Sequence, residues 1–456
     1  MKSVSRSALL SLILLSSCVE LNAADWLMLQ GAEPETIAPQ GVIVPNRNKM
    51  PKLFGFAQIN YSKDYGTVAS SAGKTTTPFS LLNPNLEDQS GFNIARARLA
   101  VRGMADDDNM VNYFIMTDFG NNGVNNLANH DTSTYLTDAS VTLKYIPNAK
   151  IRVGEFKYPG SEEGLQSVYV SPYIEFTTMS DQELLERRIT NATAAQTGAA
   201  AGGAVTTHYT TTSVDNPIGA FRDTGAEVFD TIPLNDAWTF SYAYMYGNGT
   251  GISRSNSDAQ GTHYGYLALE NNFGGGKGYY TNAMKFYVWG QNGKRKFVSN
   301  ATTLIDADRK RYGLGMTYYN HGLRFEAEYM IAQGMIYVGA KDVDANPLVQ
   351  DWQLQFASGN ENKANGGYVN LQYELIPQKF EVFGRYDFMN RLTNDVKGER
   401  DFTTTTLGAS YRFNGPTRID FNYLIREAKA PGNVSAQTTV LDNMGNRAQV
   451  QVTYAF

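Results

Sequence analysis

The sequence predicts an all-β chain, a transmembrane antiparallel β-barrel of about sixteen strands. Three observations lead there. Apolar and polar residues alternate with a period of two through segments of roughly ten residues. The connections between those segments alternate long and short. The composition favours strands and turns, with 28 Tyr, 23 Phe and 42 Gly in 456 residues.

The N-terminal stretch reads as a secretory signal. Lys2 and Arg6 make a charged start, and Ala8 to Leu15 is an apolar core too short to span a bilayer. Leu21-Asn22-Ala23 before Ala24 is an acceptable small-residue cleavage site. Leu15-Ser16-Ser17-Cys18 is a competing lipoprotein box. Cleavage after Ala23 is preferred, because a barrel needs no lipid anchor. The one cysteine falls in this region, so a processed chain has no internal disulfide. Residues 24–52, with Pro34, Pro39 and Pro45, read as a periplasmic linker, and 53–456 as the barrel.

Taking away Lys2 and Arg6 leaves 37 of 39 basic residues; taking away Glu20 leaves 43 of 44 acidic ones. A balance of −6 argues against nucleic acid as a partner. Much of the acid sits in turns and loops, as in Asp106-Asp107-Asp108. Beyond the signal no run of 18 apolar residues occurs, so the expected contact with lipid is made by strands.

The strands follow in order. Segment 53–63 opens the series. Segment 91–104 contains Arg96, Arg98 and Arg102 on one parity and Ala97, Leu99 and Val101 on the other. Next come 109–119 with Asp118, 135–146 with Asp138 and Lys144, and 149–157 with Arg152. After a long gap stand 221–232 with Arg222, 236–247, 261–270, 281–291 with Lys285, and 310–319 with Arg311. Segment 322–333 has Arg324, Glu326 and Glu328; 366–375 has Glu374; 378–389 has Glu381, Arg385 and Asp387. The last three alternate most cleanly. In 402–413, Leu407, Ala409, Tyr411 and Phe413 oppose Thr404, Thr406, Ser410 and Arg412. In 416–427, Ile419, Phe421, Tyr423 and Ile425 oppose Arg418, Asp420, Asn422 and Arg426. In 446–456, Ala448, Val450, Val452, Tyr454 and Phe456 oppose Arg447, Gln449, Gln451 and Thr453.

The connections sort by side. Residues 64–90, 120–134, 158–220, 248–260, 292–309, 334–365, 390–401 and 428–445 read as long loops. Asp106 to Asp108, Pro147-Asn148, Pro233 to Asn235, Asn320-His321, Ile376-Pro377 and Asn414-Gly415 read as tight turns, with a longer glycine-rich turn at 271–280. Long loops on one rim and short turns on the other are the pattern of an outer-membrane barrel. A soluble sandwich explains one alternating strand but not sixteen with no helical layer.

Energetics then orient the faces. An arginine facing lipid at mid-bilayer costs about 2–4 kcal/mol. Three on one strand would consume much of a folding stability of about 5–15 kcal/mol. The charged parity therefore faces water inside a wide barrel. The inward cations on this rule outnumber the inward acids, and rings of Arg and Lys suit anions. Arg385 with Asp387 and Arg418 with Asp420 are also candidates for purely structural pairs.

Several stretches together resemble the phosphate-selective porins of Gram-negative outer membranes. They are Arg96-Ala97-Arg98-Leu99, the run Arg152 to Pro159, the segment Phe176 to Arg188, Arg222-Asp223-Thr224-Gly225, Trp289 to Lys294, Arg385-Tyr386-Asp387 and the terminal Phe456. The resemblance runs from Leu53 to Phe456. It implies a sixteen-stranded homotrimer with a long loop folded into each channel, and Phe456 as a signal to the barrel-assembly machinery. It also implies lysines at the constriction, whereas residues 158–220 contain none. The reading that follows is a water-filled channel for small hydrophilic solutes, anion-preferring, with phosphate as the narrower case.

Residues 158–220 exceed a passive connection. Ser180-Asp181-Gln182-Glu183 has the form of a capping box, which predicts a helix over Asp181 to Arg188 and presents Arg187 and Arg188 to the pore. Asn191 to Val214, rich in Ala, Gly and Thr, reads as flexible. Two other classes compete with a channel. A barrel enzyme needs a nucleophile held by a base, and the four histidines, His130, His208, His263 and His321, sit in or beside loops and turns without a serine motif. A scaffold or sheath for a partner protein is the alternative, its cofactor being the partner's, since no Cys-x-x-Cys-His motif occurs. No cofactor or metal of the chain's own is expected.

Overall fold

The fold was analysed in a computed structural model. It describes residues 51–456, apart from 67–68, 72–73, 77–89, 107, 109, 121, 123–133, 186–189, 200–204, 214–220, 250, 252–259, 277, 300–302, 340–353, 397, 414–416, 433–440 and 443. The signal, most of the linker and the Arg187-Arg188 pair lie outside these residues.

Sixteen strands form the wall: β1 (Lys52–Asp64), β2 (Gly91–Met104), β3 (Val111–Asp118), β4 (Tyr135–Leu143), β5 (Lys150–Lys157), β6 (Arg222–Pro233), β7 (Trp238–Gly247), β8 (Thr262–Asn272), β9 (Ala283–Ser299), β10 (Thr303–Asn320), β11 (Leu323–Gly334), β12 (Lys363–Ile376), β13 (Phe380–Arg391), β14 (Arg400–Arg412), β15 (Arg418–Lys429) and β16 (Arg447–Ala455). Each pairs antiparallel with its neighbours in sequence. β5 meets β6 across the long third loop, from Arg222 opposite Lys157 to Phe229 opposite Lys150. β1 pairs with both β2 and β16, so the sheet closes. The seam is locked by two 3.0 Å backbone bonds, Gly55 N–H to Phe456 O and Phe456 N–H to Gly55 O. Gly55 is required there. A Cβ would lie 2.4 Å from Arg98 O and 2.7 Å from the Phe456 ring.

Alternation holds along the wall because one face meets lipid. Leu314 is 59% exposed, and Val288, Leu267 and Leu407 also stand outward. On the other parity Arg311, Lys285, Arg447 and Asp420 are buried. Aromatic pairs collect at both rims. Tyr61–Phe92 and Tyr246–His263 lie near the long loops; Tyr411–Phe413, Tyr454–Phe456 and Phe273–Tyr318 lie near the short turns. Such rings have an apolar body and a polar tip, which suits a membrane interface.

The short turns are built by specific chemistry. His321 (φ 48°) and Gly322 (φ 90°) form a two-residue hairpin connection with both central residues left-handed. Asp106 Oδ1 accepts from Val111 N at 2.9 Å and from Met110 N at 3.0 Å. Burial pushes its carboxyl up, but those two N–H groups outweigh it and hold it below the usual carboxylate range.

Four expectations need correction. Most of 292–309 is strand rather than loop: β9 runs on to Ser299 and β10 starts at Thr303, paired residue for residue. Asn191 to Val214 contains a hairpin, Thr190–Ala199 with Val205–Ser213, because its threonines have strand propensity. That hairpin pairs in turn with Leu354–Ser358 from the sixth long loop. The predicted capped helix is a single π-helical turn, Ser180–Leu184, whose N-cap is Met179 without a side-chain cap. Glu183 is taken by Arg311 at 3.0 Å and so cannot complete a capping box. Lys144 is not a wall residue. β4 stops at Leu143, and Lys144 sits in the turn, its N–H donating to Met110 O at 2.9 Å.

If the outward face meets hydrocarbon, Leu314→Arg is expected to destabilise the barrel by about 2–4 kcal/mol in lipid vesicles. Equilibrium unfolding in denaturant measures this; a change below 1 kcal/mol would contradict the assigned lipid face.

Candidate functional site

The lumen is lined by the buried parity of the wall, and residues 158–185 lie against that face. The contacts follow the chain. Lys157 Nζ donates to the carbonyls of Leu165 (2.9 Å) and Gln166 (2.8 Å), which clamps the helical turn α1 (Glu162–Leu165). Glu162 accepts from Lys285 on β9 at 2.7 Å. Glu163 accepts from Thr177 N and Oγ1 and from Arg385 on β13. Gln58 on β1 donates to Val168 O at 2.9 Å. Arg418 on β15 donates to Val170 O (2.9 Å) and Ser171 O (2.6 Å). Glu175 accepts from Arg447 and Gln449 on β16. Thr178 donates twice to Asp387, and Arg311 on β10 holds both the carboxylate and the carbonyl of Glu183.

Seven strands thus hold one segment. Most donors are guanidinium or ammonium groups, whose hydrogen bonds contribute about 1.5–3 kcal/mol each. Chain polarity matters too: the carbonyls of Val170, Ser171 and Glu183 accept from arginines that the wall already presents, and those of Leu165, Gln166 and Val168 accept from Lys157 and Gln58. The segment therefore settles where its backbone acceptors and its carboxylates can both be satisfied.

The predicted cations are placed as follows. Arg98 pairs with Asp118 at 2.9 Å, Arg152 with Glu227 at 3.4 Å, and Arg222 with Asp138 at 3.0 Å. Lys285 meets Glu162 and Arg311 meets Glu183. Arg324 lies over Tyr279 and 3.6 Å from Glu326. Arg385 bridges Glu163 and Asp387, over the Tyr173 ring. Arg412 meets Glu381, Arg418 meets Asp420, and Arg426 meets Asp64. The two pairs singled out as structural candidates are made. A count of inward cations against inward wall acids overstates the positive excess, because Glu162, Glu163, Glu175 and Glu183 come from the loop.

Two predicted cations stand apart. Among the described residues Arg96 bonds only to the neutral Gln58 Oε1, at 2.9 Å, and its guanidinium lies 5.8 Å from the Phe176 ring. Arg102 lies 4.7 Å over the Phe54 ring and makes no ion pair among the described residues. Lys157, bonded to carbonyls alone, joins them. It sits near Arg96, Arg98 and Arg222, with Asp138 among the acids close by. The wall from β1 to β5 is therefore the cationic side of the lumen.

Parity missed Lys157 because Gly154 interrupts the alternation at φ 131°, its Cβ position only 2.0 Å from Ala139 O. It missed Arg309, Arg391 and Arg400 because β10, β13 and β14 run beyond their expected ends. Arg309 and Arg391 bond to Gln291 and Gln182 respectively. A glycine on the inward parity was the available signal for the first, but none of the other three carries a local signal. In β2 a bulge falls between Ile94 and Arg96, opposite Ile59 and Gln58, so Ile94 faces out although its number is even.

No curated protein matches the sequence. Among solved structures, the barrel is similar to an anion-selective porin from Comamonas acidovorans, with 14% identity and a TM-score of 0.50, covering 89% of this chain and 99% of that one. It is similar to OmpF of Salmonella typhi, solved with daunomycin, at 14% identity and a TM-score of 0.53, covering 91% and 99%. It is also similar to the outer-membrane channel DcaP of Acinetobacter baumannii, at 12% identity and a TM-score of 0.50, covering 89% and 97%. At these identities the likeness establishes the fold. The model of the family phosphate-selective porin O and P matches residues 76–456. With a closed sixteen-strand wall around a charged lumen, that match settles the family: the chain belongs to the phosphate-selective porins O and P, channels of the Gram-negative outer membrane.

Proposed function

We propose that this porin is a passive channel for small hydrophilic solutes that prefers anions and is constricted by residues 158–185. The carrying observation is the cationic side of the lumen. Arg96, Arg98, Lys157 and Arg222 cluster there with Asp118, Asp138 and Glu155 as the nearby acids, and Arg102 lies beyond them without an ion pair among the described residues. An anion passing this wall meets donors that replace part of its hydration, while the opposite wall is neutralised by loop carboxylates. The anion-selective porin with the same fold supports the sign of this preference.

Phosphate is the narrower substrate that the family's description carries. In this chain arginines and Lys157 would have to serve it, since 158–220 holds no lysine. Arginine is suited to a phosphate oxygen pair through its planar fork. We include in the reading a homotrimer, and recognition of Phe456 by the assembly machinery. The terminal ring is 59% exposed, and its backbone is already committed to the seam. The sheath reading gains no support from the family.

Under a potassium chloride gradient in a planar bilayer, the reversal potential is expected to have the anion-selective sign, and Arg96→Glu with Arg102→Glu is expected to move it toward cations. A cation-selective wild type would overturn the preference. Arg311→Ala removes the cation that holds both the carboxylate and the carbonyl of the buried Glu183, a loss of about 3–5 kcal/mol locally. Amide exchange over 180–185 is expected to accelerate by about two orders of magnitude, with a noisier, larger conductance. Unchanged exchange would refute the anchoring role of Arg311.

A further inference from the structure

Lys52 on β1 stands directly opposite Arg102 on β2, near the rim that bears the short turns. Two like charges in a cross-strand pair oppose folding unless something negative lies between them. Among the described residues no carboxylate reaches either one. Arg102 is 5% exposed, yet its Nε has no hydrogen-bond partner. A buried guanidinium N–H left unmade is costly, and structures rarely keep one without a use.

The surroundings are apolar and flat. Arg102 lies over Phe54, and Phe54 stacks against Phe114, with ring centroids 6.1 Å apart and planes inclined by 24°. Phe114 is itself the residue opposite Arg102 on β3. Two residues along β1, Phe56 packs on Tyr169 of the loop at 5.7 Å. Phe54, Phe56 and Phe114 are half-buried and share the inward face with Arg102. Water-facing lumen positions are not where phenylalanine is otherwise favoured.

We propose that Lys52, Arg102, Phe54 and Phe114 form a subsite for an aromatic carboxylate at the periplasmic end of the lumen. The carboxylate supplies the counter-charge that the two cations lack among the described residues, while the ring of the solute packs beside the phenylalanines. A small hydrated anion can use only the first half of this arrangement. The subsite rests on the channel reading above and adds a solute class to it.

Benzoate and acetate serve as probes on the full chain. Added on the periplasmic side of a planar bilayer, benzoate is expected to reduce chloride current at a lower concentration than acetate. Arg102→Gln and Phe54→Leu are each expected to raise the half-blocking benzoate concentration by about tenfold, and Phe54→Leu is expected to leave the acetate response in place. Calorimetric titration of benzoate into detergent-solubilised protein reads the same site without any current. Gel migration of unheated samples reports that each variant is folded. Equal responses to benzoate and acetate, or benzoate binding unaltered by Arg102→Gln, would overturn the subsite. Benzoate binding with no chloride conductance would instead sink the channel reading and leave the subsite standing.

Discussion

The whole structure depends on satisfying every backbone N–H and C=O inside a hydrocarbon layer. An unpaired group there costs several kcal/mol, so a sheet in a membrane must have no free edge. Closure falls on β1, which pairs along its length with β2 and β16 at once. The terminal residue takes part: Phe456 exchanges both backbone bonds with Gly55, and glycine at 55 makes room for its ring. Side-chain alternation follows from closure, since a strand fixed between two neighbours has one face to lipid and one to the lumen.

Closure around a charged lumen creates a second problem, which the third long loop resolves. Inward arginines need counter-charges or carbonyls, and the wall alone provides too few. The segment 158–185 supplies Glu162, Glu163, Glu175 and Glu183 together with a run of backbone acceptors. The partnership is reciprocal. The arginines hold the loop, and the loop lowers the net positive charge of the side it touches. Among the described residues, cations without an ion pair include Arg96 and Arg102 on β2 and Lys157 on β5.

Charge in such a lumen has two roles that only geometry separates. Arg418 is tied to Asp420 and to two loop carbonyls, and is structural. Arg96 and Arg102 are of the same residue type and parity, but among the described residues neither makes an ion pair.

By itself the sequence determined the strand count, the two faces and the sides of the loops. Those properties follow from period-two alternation and turn chemistry, which are local, and fourteen of the sixteen segments were legible within about three residues, while β9 and β10 run seven or eight residues further into their connection. It also determined that Arg96, Arg98 and Arg102 face water, since lipid would exclude them. The tertiary structure alone decided which cations are neutralised, because Glu163 reaches Arg385 and Glu175 reaches Arg447 across more than two hundred residues of chain. It alone converted the expected capped helix into one π-helical turn, since Arg311 competes for Glu183 from β10. It alone set Lys52 against Arg102, because strand register is fixed by closure of the barrel and no local pattern encodes it.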